Sequence, residues 1–286
     1  MDLKTEITAI NKESALYPIE WREMPDAPDT LYAVGNLTLL QSERLFTIVG
    51  SRQTPASALK LTKRIAQELS ETFTIVTGTA LGGDSAAIDG ALEGSGRVIC
   101  LLAGGFQHLP QNNLPRIEQV AKHGLVLALH PYETPVREFS YGYRNQYLAK
   151  VSLGTLIVGA PQKSGALITA EYAKRYGKKV FALPYFVGTA AGEGCNAVIK
   201  SGGILTETAA DVYAVFGVKA EREQSIVSLT AEEKALYQTL RENGESHISA
   251  LCEQTGVPIF KARAILSALE VKGVVVSVGG NRFAPL

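Results

Sequence analysis

The sequence predicts an α/β protein: a doubly wound parallel sheet followed by a small C-terminal helical unit. Three observations carry that prediction. Between residues 45 and 216 short apolar runs alternate with helical patterns, and such alternation builds parallel βαβ units. Most of the runs are continuously apolar, as strands covered on both faces are. After residue 227 the pattern changes to three closely spaced helices and a ribbon with a glycine turn.

Residues 1–44 begin with the polar stretch MDLKTEITAINKES, which lacks the apolar core of a signal peptide, and read as a lead-in packed on the sheet domain. The expected strands are LFTIV (45–49), FTIVT (73–77), RVICLLA (97–103), GLVLAL (124–129), GTLIVGA (154–160), KVFALP (179–184) and, more weakly, GGILT (202–206). Helical patterns fall between and after them at 56–71, 84–94, 113–123, 142–152, 165–176, 194–201 and 208–216. Polar residues 217–227 read as a linker. In 228–286, SLTAEEKALYQTLRENG reads as a capped helix ended by Gly244. ISALCEQTG and PIFKARAILSALEVKG follow as helices, and VVVSVGGNRFAPL as a ribbon turning at Gly279-Gly280-Asn281. Three helices and a ribbon make a winged helix-turn-helix.

With 286 residues, 46% hydrophobic and 20% charged, the chain can bury one large core and one small one. No apolar run approaches the length of a membrane span. Cys100, Cys195 and Cys252 stand far apart, which argues against a zinc site or a disulfide framework and for a reducing cytoplasm. Net charge is zero, but its distribution is uneven. Residues 137–179 hold eight basic residues against two acidic ones, whereas residues 1–50 hold four against eight. The basic stretch can bind an anion or serve as a solvated face.

Ligands of open α/β sheets bind outside the carboxyl ends of the strands. Here the first strand runs into Gly50-Ser51-Arg52, and the second into a loop containing Gly78 and Gly82. The third runs into Gly104-Gly105, and the fifth into a loop holding Lys163, Ser164 and Gly165. One such glycine is ordinarily a tight turn. Four loops, two with a cation, predict close backbone approach to an anion such as phosphate. GSRQTP is not GxGxxG and PQKSGALIT is not a P-loop, so a nicotinamide enzyme or an NTPase is disfavoured. The stretch HPYETPVREFSYGYRNQY (130–147) interleaves Tyr132, Phe139, Tyr141, Tyr143 and Tyr147 with Arg137 and Arg144, and reads as a long functional loop. Aromatics and arginines beside a phosphate cradle suit single-stranded nucleic acid, with bases stacked on rings and cations along the backbone. Some of these rings, Tyr147 included, are expected in the domain's own core. The four histidines are scattered without metal-ligand spacing, and no catalytic set, metal or cofactor is expected. Asp84 is expected to cap its helix or hold a loop.

On IVGSR (48–52), TGTALGGDSAAIDGAL (77–92), RNQYLAKVS (144–152), KSGALITA (163–170) and GCNAVIKSGG (194–203), the chain resembles the DNA-processing protein A (DprA, or Smf) family. The lead-in YPIEWREMPDAPDTLYAVGN (17–36) is also typical of it. The resemblance spans about residues 17–216. It implies an extended Rossmann-like fold that binds single-stranded DNA, forms a homodimer, protects incoming DNA and loads RecA during natural transformation, with no enzymatic activity. A single-strand-binding protein is a further candidate partner. By position, Arg52 and Lys163 match the family's backbone contacts, Ser51, Gly165 and Asn145 its pocket, and Arg144 its Arg-Asn pair. The expected interface is therefore Gly50, Ser51, Arg52, Gly78, Gly82, Arg137, Phe139, Tyr141, Arg144, Asn145, Lys163, Ser164 and Gly165. Ile88 stands where the family usually has His, Tyr141-Gly142-Tyr143 where it has Phe-Pro-x, and Leu109-Pro110-Gln111-Asn112-Asn113 where it has Tyr-Pro-x-Glu-Asn.

Two other readings compete. A nucleoside-monophosphate phosphoribohydrolase would need a Pro-Gly-Gly-x-Gly-Thr loop and a catalytic Glu; here the strand end reads APQKSG, with Glu171 further on. A duplex reader acting through the winged helix would need a basic excess, but 228–286 hold six basic and six acidic residues.

Overall fold

The structure, a computed structural model, describes residues 6–218, 229–272 and 274–285. The chain divides into two compact units, Met1–Glu221 and Arg222–Leu286. Residues 219–227 of the expected linker lie outside the described residues.

The lead-in forms β1 (Thr8–Asn11), a single turn of helix α1 (Ile19–Arg22) and β2 (Thr30–Gly35). The alternating region follows as β3 (Leu45–Val49), α2 (Ala56–Ser70), β4 (Thr74–Thr77), α3 (Gly83–Glu93), β5 (Val98–Leu102), α4 (Leu114–His123) and β6 (Leu125–Ala128). It continues with α5 (Glu138–Val151), β7 (Gly154–Ile157), α6 (Gly165–Arg175), β8 (Lys179–Ala182), α7 (Glu193–Lys200), β9 (Ile204–Leu205) and α8 (Ala209–Phe216). All the strands join one nine-stranded sheet in the order β1-β2-β6-β5-β4-β3-β7-β8-β9.

From β6 to β9 every pairing is parallel, as predicted. The lead-in does more than pack on this sheet. β2 pairs antiparallel with β6, and β1 with β2, so the N-terminal segment extends the sheet by two strands. The strand order reverses between β3 and β7, which leaves a crevice at their carboxyl ends.

All five residues of β3 are buried, which explains its unbroken apolar run. Phe46 and Ile48 enter one layer, with Ile65 and Leu69 of α2, Ile88 of α3, Ile117 of α4 and Val212 of α8. Leu45 and Val49 enter the other, with Trp21 of α1, Tyr147 and Leu148 of α5, Ala170 of α6 and Val198 of α7. The sheet is thus covered on both faces.

One expected element differs. The helix expected at 142–152 starts earlier: α5 begins at Glu138, so Phe139 and Tyr141 are helical as well and the expected long loop shrinks to 130–137.

The second unit contains α9 (Ala231–Asn243), β10 (Ser246–His247), α10 (Ile248–Thr255), α11 (Ile259–Val271), β11 (Val275–Gly279) and β12 (Arg282–Pro285). Thr230 caps α9, its Oγ1 accepting from Glu233 N at 3.3 Å while Glu233 Oε2 accepts from Thr230 N at 2.8 Å. β10 pairs with β12 and enlarges the expected ribbon to three strands. Leu236, Leu240, Leu251, Leu266 and Leu269 fill its core.

Candidate nucleic-acid interface

The crevice at the ends of β3 and β7 gathers the loops that the sequence singles out. Ser51 N donates to Gly159 O at 2.7 Å, which ties the β3 loop to the β7 loop. The β4 loop closes on the same point: Gly82, at φ +91°, lies so close that an added Cβ would stand 2.8 Å from Arg52 Cα. Such a φ is one that non-glycine residues rarely adopt.

Asp84 fastens this arrangement from beneath. It is 4% exposed, and its two carboxylate oxygens accept from Gly50 N and Ala80 N, each at 3.3 Å. It holds two loops together, as expected for this residue. Arg144, 5% exposed, is its counter-charge. A side chain on Gly78 would overlap both the guanidinium and the carboxylate. Burial pushes the Asp84 carboxyl up from the ordinary carboxylate range, against the pull of Arg144 and the two N–H donors. Arg144 Nη1 donates to Leu101 O at 2.8 Å and Nε to Asn145 Oδ1 at 3.0 Å. Asn145 Nδ2 in turn donates to Gly165 O at 3.0 Å, at the first turn of α6. Hydrogen bonds thus tie the β3 and β4 loops to Asp84, and Arg144 through Asn145 to the start of α6, with the two buried charges facing each other between them.

These contacts change what the glycines mean. Gly50 is a point of close packing between loops. An added Cβ there would come 2.5 Å from Val158 Cγ2 and 3.0 Å from Gly83 Cα, so this glycine lets loops approach each other. Gly78 is buried over the Asp84–Arg144 pair. Gly165 is different: a Cβ there would meet nothing nearer than Asn145 Nδ2 at 3.9 Å. Arg144 and Asn145 are likewise beneath the surface rather than on it.

The exposed groups form the outer layer. Arg52, Arg137 and Lys163 are exposed cations. The Ser51 hydroxyl accepts from Gln53 N at 3.1 Å and keeps its own proton to donate. Ser164 caps α6 by accepting from Ala166 N at 3.2 Å. The first turn of α3 already holds the carboxylate of Asp84, whereas that of α6 holds no acid. The start of α6, with Lys163 beside it, is therefore where the helix dipole remains open to an anion. Phe139 (68% exposed) and Tyr141 (40%) line a neighbouring cleft with Gly165 and Ile168. Tyr143 packs against Tyr147, its ring centre 5.0 Å away, and Tyr147 is fully buried.

Glu171 is exposed on α6, and the described residues include no cluster that could hold a metal ion. Among them no helix is long and apolar enough to cross a membrane. In the second unit the cations are largely engaged. Lys261 pairs with Glu232, Lys272 with Glu233 and Arg282 with Glu245. Arg263 donates to Asn281.

Comparison with known proteins agrees with this architecture. The family model described as DNA recombination-mediator protein A matches residues 8–217, and that of the DprA winged helix domain matches residues 220–281. The DNA processing protein DprA of Bacillus subtilis is 33% identical over 209 residues, covering 72% of this chain and 70% of that protein. The X-ray structure of DNA processing protein A from Streptococcus pneumoniae matches with a TM-score of 0.69 at 30% identity, over 74% of this chain and 76% of that one. DNA processing protein A from Helicobacter pylori, whose structure is described for its unique single-stranded DNA binding mode, matches with a TM-score of 0.67 at 26% identity. That match covers 75% of this chain and 98% of the other. The chain belongs to the DNA recombination-mediator protein A family, known as DprA or Smf.

Proposed function

We propose that this chain binds single-stranded DNA along the carboxyl ends of β3 and β7 and delivers it to a RecA-type recombinase during DNA uptake. The observation that carries the reading is the placement of Arg52 and Lys163, both exposed, with the Ser51 hydroxyl and the acid-free start of α6, after the adjacent strands β3 and β7 at the sheet's switch point. Phosphates would be held by those groups, with Arg137 alongside, while bases stack on Phe139 and Tyr141. Arg144 and Asn145 act from beneath as positioning residues. Protection of the incoming strand, RecA loading, a homodimer, contact with a single-strand-binding protein and a cytoplasmic site of action rest on family kinship. No catalytic step belongs to the reading. The winged-helix unit serves as an accessory or protein-contact module, since residues 228–286 hold as many acidic as basic residues and carry no net positive charge for a duplex backbone.

Fluorescence anisotropy across a salt series tests it. Arg52→Ala and Lys163→Ala should each weaken single-strand binding and reduce the salt slope by about 1. Unchanged binding in both variants would remove the interface from this crevice.

A further inference from the structure

We propose that the bound strand continues past Arg52 into a groove between α2 and α3, where Lys60 and Lys63 receive its phosphates. This rests on the single-strand reading above and extends it to a subsite. The groove is open to solvent, offers about 350 Å³, and is lined by Leu59, Lys60, Lys63, Leu81, Gly82 and Arg116, among others. It opens directly off the crevice, because Gly82 belongs to its wall and also abuts Ser51 and Arg52.

The chemistry of the wall fits a nucleotide of a passing strand. Lys60 is exposed and has no hydrogen-bond or ion-pair partner among the described residues. Lys63 pairs with Glu93 at 2.6 Å, with side chains 40% and 53% exposed, and a pair so solvated is weak enough to yield to a phosphate. Arg116 is committed: it forks onto Asp89 at 2.7 and 2.9 Å and supplies structure rather than free charge. Leu81, 37% exposed, and half-buried Leu59 offer apolar surface for the face of a base or sugar. Free positive charge on one side and apolar surface on the other suit a nucleotide better than a bare anion. Continuity with Arg52 suits a continuing strand better than a free nucleotide.

The test is anisotropy of the full chain at low salt with oligothymidylates of about four to about twenty nucleotides. Lys60→Ala should leave the shortest bound oligonucleotides unaffected. It should weaken binding about threefold to tenfold, and lower the salt slope by about 1, once the strand is long enough to enter the groove. Glu93→Gln, which frees Lys63, should strengthen binding of the long strands about twofold to threefold. Thermal unfolding of both variants should match the wild type, since both side chains are exposed. Either no effect of Lys60→Ala at any length, or an equal effect at every length, overturns the subsite. Wild-type binding that depends on Arg52 but not on Lys60 refutes only the groove. Absence of single-strand binding by the wild type refutes the underlying reading and the groove with it.

Discussion

Replacing Arg144 with methionine tests the electrostatic frame beneath the strand ends. Methionine keeps much of the apolar stem and removes the guanidinium. The change deletes the hydrogen bonds to Leu101 O at 2.8 Å and Asn145 Oδ1 at 3.0 Å. It also leaves Asp84, 4% exposed, without its counter-charge. Breaking a buried pair from one side costs about 3–5 kcal/mol, and the two lost hydrogen bonds lie within that figure. Urea denaturation followed by the fluorescence of Trp21 reads the loss. It is the only tryptophan of the chain, 1% exposed, and its ring meets that of Tyr147, one turn beyond Arg144 on α5.

Two controls sharpen the result. Adding Asp84→Asn removes the stranded charge, so the double variant should lose at least about 1 kcal/mol less than the sum of the singles. The loss should also depend on pH. Burial already raises the Asp84 carboxyl in the folded protein, and removing Arg144 raises it further. A carboxyl whose folded pKa exceeds its unfolded value takes up its proton first in the folded state, so lowering the pH favours folding. The deficit of Arg144→Met should therefore shrink as pH falls from about 7 toward about 5. A loss below about 1 kcal/mol, or an additive cycle, would refute a coupled buried pair.

Other outcomes follow from the same contacts. Gly50→Ala should cost about 1–3 kcal/mol in the Trp21 titration, because its Cβ meets Val158 and Gly83, whereas Gly165→Ala should cost nothing measurable. Phe139→Ala and Tyr141→Ala should each weaken single-strand binding by about 1–3 kcal/mol in anisotropy with no loss of thermal stability, since both rings are exposed. In the second unit, Thr230→Ala should cost about 1 kcal/mol of α9 stability in a far-ultraviolet circular dichroism melt, through loss of the cap on Glu233 N.

The central strands could be read directly because burial on both faces leaves continuous apolar runs such as LFTIV. β1 could not: its pattern TAIN has a single buried position, typical of a sheet edge. The body of α5 was legible as the helical pattern 142–152, but its first turn from Glu138 was hidden by an inversion. In its first half the buried face carries Ser140, Arg144 and Asn145, while Phe139 and Tyr141 stand outside and Gly142 contributes no side chain to the pattern. A rule that places apolar residues inside reads such a segment as a loop. Of the candidate site, the exposed cations Arg52 and Lys163 could be singled out in sequence, because their residue types suit an anion and each follows a strand end. The glycines were ambiguous in sequence because glycine serves a close ligand and a close neighbouring loop equally well, and Gly50 and Gly78 pack against other loops and side chains. The Asp84–Arg144 pair had no local signal, since the fold brings together two residues on α3 and α5 that lie far apart in sequence.

The most direct measurement is competition between single-stranded and duplex oligonucleotides of one sequence for the full chain, repeated with an Arg52→Ala/Lys163→Ala double variant. The wild type should prefer the single strand, and the double variant should lose this preference while keeping the wild-type fold. Equal affinity for the two forms, or single-strand binding that survives the double substitution, would contradict the proposed interface.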